Sequence, residues 1–146
     1  MVYFTILPNI IISDYSVFDR KNLFLKEKNI KYIFNCSSID HFPSIKDHQT
    51  NIYHINISDS LSIQSVQKII DLLEILYCKL IPVIICGPID NQKNITLIAL
   101  FIISNLKIPW QKSISIISTK LNNAFKPTII YSGLLEQYTK YKLYSS

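Results

Sequence analysis

The sequence is poor in arginine and glycine. Arg20 is its sole arginine, so the formal charge of +5 rests on lysine, and Gly87 and Gly133 are its only glycines. The lysines scatter through 21–31 and 107–142 without forming a block, which fits a solvated surface and makes nucleic acid an unlikely partner. Cys36, Cys78 and Cys86 cannot all pair with one another, and none lies in a C-x-x-C pair. No metal-ligand spacing surrounds His41, His48 or His54. These shortages argue against a disulfide scaffold and a bound metal, and for a reducing, intracellular compartment. No cofactor is implied. The opening Met1–Leu7 lacks a basic flank, and its apolar run stops at Pro8-Asn9, too short for a signal peptide. The longest apolar stretch, Ile95–Ile103, is about half a membrane span. A soluble protein with no membrane partner is expected.

What is present is a compact apolar chain. Apolar residues make up 49% of 146 positions, enough for one domain over 1–146 with a full core. No linker, repeat or low-complexity segment interrupts it. Isoleucine, asparagine and lysine are abundant, as in an AT-rich coding genome. The most informative stretch is Pro82–Thr96, where a β-type run ends on Cys86, passes a short polar turn and re-emerges as an apolar helix. That order places a thiol at the end of a buried strand, facing an open helix N-terminus. Unpaired amides and the positive helix dipole there suit a thiolate or an oxyanion. The anion-binding loop candidates are Cys86, Gly87, Ile89, Asp90, Asn91, Gln92, Lys93 and Asn94.

The remaining elements follow from periodicity. Tyr3–Leu7 and Ile10–Ile12 read as strands around a Pro8-Asn9 turn. Asp14 or Ser16 can cap a helix Val17–Lys28, with Phe18, Leu23, Phe24 and the methylenes of Lys28 facing inward. Lys31–Asn35 reads as a buried strand, Ser37–Thr50 as a surface loop, and Ile52–Ile57 as a half-buried strand broken by Ser58–Ser60. Ile63, Val66, Ile69, Ile70, Leu73, Leu76 and Tyr77 recur at helical spacing. Val83–Ile85 has the apolar character of a doubly covered central strand. Residues 93–104 form the central helix. Another begins at Ile108-Pro109-Trp110, with Pro109 in its first turn and Ile114, Ile117 and Leu121 inward. A last helix spans Ser132–Tyr141. Such strand–helix alternation gives an α/β sandwich.

In order and spacing, from about residue 4 to residue 139, these features resemble the dual-specificity phosphatase family, in particular its small poxviral members. Pro8–Ser13 resembles the family's opening strand, and Ile30–Asn35 its strand ending in a buried asparagine. Ile52–Asp59 is similar to the strand leading to the general-acid aspartate. Pro82–Thr96 stands in the place of the signature loop, and Trp110–Leu121 matches the helix that follows. Pro127, Leu135, Gln137 and Tyr138 resemble the closing pattern. The resemblance implies a central, mostly parallel five-stranded sheet flanked by helices. It further implies Cys86 as nucleophile, Asp59 as acid and Asn35 as support for the loop.

The family's signature, H-C-x(5)-R-S/T, is broken here. Ile85 replaces its histidine and Ile89 its glycine, while Gln92 stands at the arginine's position, or Lys93 if the loop has gained one residue. Losing a comparable transition-state contact costs about 10²–10³ in rate, and the planar fork that grips two phosphoryl oxygens is gone in either alignment. A catalytically inactive pseudophosphatase is therefore expected. It would act by binding a protein partner, phosphorylated in one version, inside the host cell or virion. Two alternatives stand beside it. One is a divergent phosphatase acting on phosphoprotein or RNA 5′-phosphate, with Lys93 replacing arginine; the other is a structural virion protein that self-associates as a homo-oligomer. Plainer readings also exist for single residues: Cys86 as a small core side chain, Asp59 as a turn or helix cap, Lys93 as a solvated cation. Tyr131, Tyr138, Tyr141 and Tyr144 suggest a binding face, with Tyr138 placed in the core by helical spacing.

Overall fold

The computed structural model describes residues 3–14, 16, 24–37, 50–88, 92–121 and 129–144. Five strands form one sheet: β1 (Tyr3–Leu7), β2 (Ile10–Ser13), β3 (Tyr32–Asn35), β4 (Asn51–His54) and β5 (Val83–Cys86), in the order β1-β2-β5-β3-β4. Only the β1–β2 pair is antiparallel. Asn9 makes the turn between them at φ 66°, a left-handed conformation that asparagine tolerates better than most residues. β5 is buried at all four positions and lies between β2 and β3, as its unbroken apolar run requires.

Alternation along the strands sorts the core into two layers. Ile12, Ile85 and Phe34 belong to a large cluster that includes α2 (Ile63–Cys78), α3 (Lys93–Leu106), α4 (Trp110–Lys120) and α5 (Ser132–Thr139). Ile33, Ile84 and Cys86 point the other way, into a smaller cluster with Ile30 and Leu25 of α1 (Phe24–Glu27). Helix α3 is buried from Asn94 through Ser104, so it is apolar all round because it is covered all round. Phe101 meets the ring of Tyr77 edge-on at 5.2 Å. At its start α2 is capped by Ser62, whose hydroxyl accepts the Ser65 amide at 3.2 Å. The hydroxyl of Tyr138 donates to Gln67 Oε1 at 2.8 Å, tying α5 to α2.

Several local expectations change. β4 ends at His54, not Ile57, because its partner β3 ends at Asn35; the last bond runs from the Ile55 amide to the Asn35 carbonyl, 2.9 Å. In the first helix, of which 17–23 lie outside the described residues, Leu25 takes the buried position while Phe24 is half-buried and Lys28 exposed. Pro109 caps α4 rather than entering it: its backbone is extended at ψ 160°, and its carbonyl accepts the amides of Lys112 and Ser113. α5 stops at Thr139 and continues as a π-helical turn, Lys140–Tyr144. Among the described residues no helix is long and apolar enough to cross a membrane.

Candidate functional site

Register assembles the candidate site. Ser13, Cys86, Asn35 and His54 are direct partners across β2, β5, β3 and β4. They form one polar row at the carboxyl ends of four neighbouring strands, where open α/β sheets place ligands. One residue further along each strand the side chains turn to the opposite face, so Cys36 joins the α3 side. The row and its continuation are the scaffold on which every candidate side chain is hung.

Cys86 is wholly buried, and its thiol donates to Asn35 Oδ1 at 3.5 Å. The same oxygen accepts the Ser37 amide at 3.0 Å and the Ser37 hydroxyl at 2.6 Å. A carbonyl oxygen aimed at the sulfur favours S–H over S⁻. Burial pushes the Cys86 thiol from 9.0 up to about 12, with the amides of Cys36 and Cys86 opposing and Asp14 adding to the rise. At about pH 7 roughly one molecule in 10⁵ would then carry the thiolate that attacks phosphorus. Cys36 is held still higher, by burial and then by the neighbouring Cys86 sulfur, with Lys93 pulling the other way. The charge of Lys93 is thus felt by Cys36, while Cys86 packs with Leu25, Ile33 and Ile84. Cys78 is exposed.

The start of α3 is closed by its own side chains. Gln92 caps the helix at φ 60° without a side-chain bond to it. Its carbonyl accepts both the amide and the hydroxyl of Thr96, at 2.9 and 2.7 Å. Asn94 is fully buried; its Oδ1 takes the Ile95 amide at 2.9 Å, and its Nδ2 donates to the carbonyls of Ser13 and Gly87 at 3.3 Å. The Gly87 amide goes to the Ser13 carbonyl, 3.1 Å. These two amides are therefore committed to internal partners. Ile89, Asp90 and Asn91 lie outside the described residues, as do His41 and His48.

Asp59 is exposed, and its Oδ1 accepts the Leu134 amide at 3.0 Å, in the first turn of α5. It acts as a remote cap, satisfying an orphan amide and complementing the helix dipole. Asp59→Ala is expected to lower stability by about 1 kcal/mol, read as a shift in urea midpoint at constant slope. An unchanged midpoint would remove the capping role.

Lys93 opens α3 and donates to Asn56 Oδ1 at 3.4 Å. Beside it lies a cleft of ≈ 240 Å³ lined by Cys36, Ser37, His54, Ile55, Asn56 and Lys93. A larger hollow of ≈ 680 Å³, lined by Asn29, Lys31 and Leu80 among others, lies at the opposite ends of the strands. His54, Asn56 and Ser37 were not among the residues singled out from sequence. The signal that finds them is register: once Asn35 pairs with both Cys86 and His54, residues 36, 37, 55 and 56 must follow the strand ends. No group of three or more metal-ligating side chains occurs among the described residues.

No protein-family model matches the sequence, and no curated protein matches it. Solved structures do. A variant of human DUSP28 aligns at TM-score 0.78 with 8% identity, covering 100% of this chain and 99% of its own. The human tyrosine phosphatase-like serine/threonine/tyrosine-interacting protein aligns at 0.73 with 15% identity, covering 95% and 94%. A leucine-rich-repeat and phosphatase-domain protein from Entamoeba histolytica aligns at 0.72 with 13% identity, covering 97% and 92%. At such identities the likeness is one of fold, and its content is plain: this mixed five-stranded sheet with its flanking helices is the dual-specificity phosphatase fold.

Proposed function

We propose that the chain is a pseudophosphatase of the small poxviral kind, which binds a protein partner and does not hydrolyse phosphate esters. The observation that carries this reading is the setting of Cys86: buried, its thiol within hydrogen-bond reach of Asn35, and its pKa pushed up to about 12 by burial. A nucleophilic cysteine of this chemistry works as a thiolate with its pKa lowered by amides and a helix N-terminus, and here burial drives the pKa the other way. The sequence adds that Arg20 is the only guanidinium in the chain, so the loop itself carries no bidentate clamp for a transferring phosphoryl group. The viral part of the reading rests on the small size and the wealth of isoleucine, asparagine and lysine. Binding is favoured by what the fold retains once chemistry is gone. The human phosphatase-like interacting protein shares this fold, and its name joins the same two attributes.

The test is turnover of a small aryl phosphate by the pure protein, with Cys86→Ser alongside. Both are expected to stay at the background rate across neutral pH. Hydrolysis that vanishes in Cys86→Ser would overturn the proposal and favour a divergent phosphatase.

A further inference from the structure

We propose that the solvent face of α2 binds a second copy of this chain, in an antiparallel pair whose two-fold axis passes beside Ile75. The reading above calls for a protein partner, and this face fits the chain itself. Three observations carry it. First, Asp71, Ile75 and Lys79 are all exposed and recur every fourth residue, so they form one ridge along α2 and its cap residue. A ridge of that spacing is the kind that packed helices most often interdigitate. Ile75, in its middle, is 52% exposed. Second, the two charges are opposite in sign and lie equally far from Ile75. A two-fold axis there sets each residue before Ile75 against the one equally far beyond it on the partner. Asp71 then meets the partner's Lys79, and Lys79 meets the partner's Asp71. Neither side chain is in an ion pair among the described residues; Asp71 Oδ1 accepts Gln67 Nε2 at 2.6 Å, and the second carboxylate oxygen remains for the partner. Lys68, the other exposed charge on this face, lies nearer the start of α2, beyond the matched pair.

The third observation is Leu80. It follows the cap of α2 in a left-handed conformation, φ 59°, and is 71% exposed. The Ile81 amide donates to the Leu76 carbonyl at 3.0 Å and the Leu80 amide to the Tyr77 carbonyl at 3.1 Å, the closing pattern in which glycine is the usual left-handed residue. Glycine would adopt that conformation without strain, so the fold alone gives no reason for a leucine there. At the end of each helix it extends the apolar contact beyond Ile75. A single helix face falls short of the roughly 1,200–2,000 Å² of a stable complex, so the pair is a weak one that forms with concentration. The charges on this face match a second copy in the antiparallel orientation, which selects the chain itself over a partner of other chemistry.

The experiment is sedimentation velocity of the whole protein over a concentration series up to about 1 mM, with a reductant so that the exposed Cys78 cannot link copies. The mass is expected to rise from one chain to two and to stop there. Asp71→Lys and Lys79→Asp each set like charges together at both symmetric contacts, and each should weaken the dimer by about tenfold or more. The double variant Asp71→Lys/Lys79→Asp restores opposite charges and should return the dimer to within about threefold of the wild type. Ile75→Asp gives a second reading that does not depend on the charge exchange, and it should leave one chain throughout. A wild type that stays one chain at every concentration would overturn the proposal. So would a dimer indifferent to all these changes, or a double variant as weak as the single ones. Another protein bound at this face without self-association would overturn it too. Cys86-dependent turnover, which would remove the pseudophosphatase reading, leaves these masses untouched, so the two ideas fail separately.

Discussion

Raising the pH from about 9 towards about 12 is expected to unfold this protein steeply, and Cys86→Ala is expected to flatten that loss. The thiol ionises at 9.0 when unperturbed and near 12 in the folded chain. Between those values the unfolded state has released a proton that the folded state still holds. Stability then falls as pH rises, by about 1.4 kcal/mol per pH step for each such proton. The contribution of Cys86 is complete below about 9, and about 4 kcal/mol of it is gone by about 12. Cys36 and Tyr138 are shifted in the same direction, each chiefly by burial, so their losses add to the slope. Against a total stability of about 5–15 kcal/mol, three such groups are decisive. Urea unfolding at a series of alkaline pH values measures the slope, and Cys86→Ala should reduce it by about 1.4 kcal/mol per pH step over this interval. Equal slopes in the two proteins would mean that the thiol is not held in its neutral form. A thiol reagent provides a second reading near neutrality: only the exposed Cys78 should react in the native state, and all three cysteines once denaturant is added.

Much of this arrangement is legible in the sequence because burial on two faces leaves a simple trace. Val83–Cys86 is an unbroken apolar run because β5 is the central strand, and helix 93–104 is apolar on every side because the sheet, α2, α4 and α5 surround it. The position of Cys86 at the strand end follows from the same run. What the sequence conceals is the face. A shift of one residue turns a side chain through the sheet, and only the pairing of Cys86 with Asn35 and Ser13 sends its sulfur towards α1. The other thiol, Cys36, thereby becomes the neighbour of Lys93. Nor does a single strand reveal that Asn35, read as a support for the loop, also aligns His54 beside it. Asp59 is ambiguous in sequence between acid and cap, and its partner, the Leu134 amide, lies 75 residues away. Hydrogen bonds of that range have no local signature. The turn through Ile89, Asp90 and Asn91 lies outside the described residues.

Asn94 carries the second large effect. Asn94→Ala is expected to destabilise the protein by about 2–6 kcal/mol, because two buried groups lose a partner at about 1–3 kcal/mol each. The groups are the Ile95 amide and the Gly87 carbonyl; the Ser13 carbonyl keeps the Gly87 amide. Asn94→Asp sharpens the argument, since it retains an acceptor for Ile95 in the first turn of α3, where the dipole favours an acid by up to about 2 kcal/mol. It also sets a carboxylate against two carbonyl oxygens in a site with no solvent exposure, and the penalty for a buried unpaired charge is several kcal/mol. Desolvation should win, so Asn94→Asp is expected to be at least as unstable as Asn94→Ala at about pH 7. It should recover part of the loss at about pH 4, where protonation returns one donor. Urea midpoints at the two pH values measure both effects. An aspartate variant as stable as the wild type at neutral pH would mean that the asparagine does not bridge β2, β5 and α3. Asn94→Ala also frees an amide that an anion cup would need, and turnover should still not appear. On the pseudophosphatase reading, the absent guanidinium and the raised pKa of Cys86 are separate obstacles, and a freed amide removes neither.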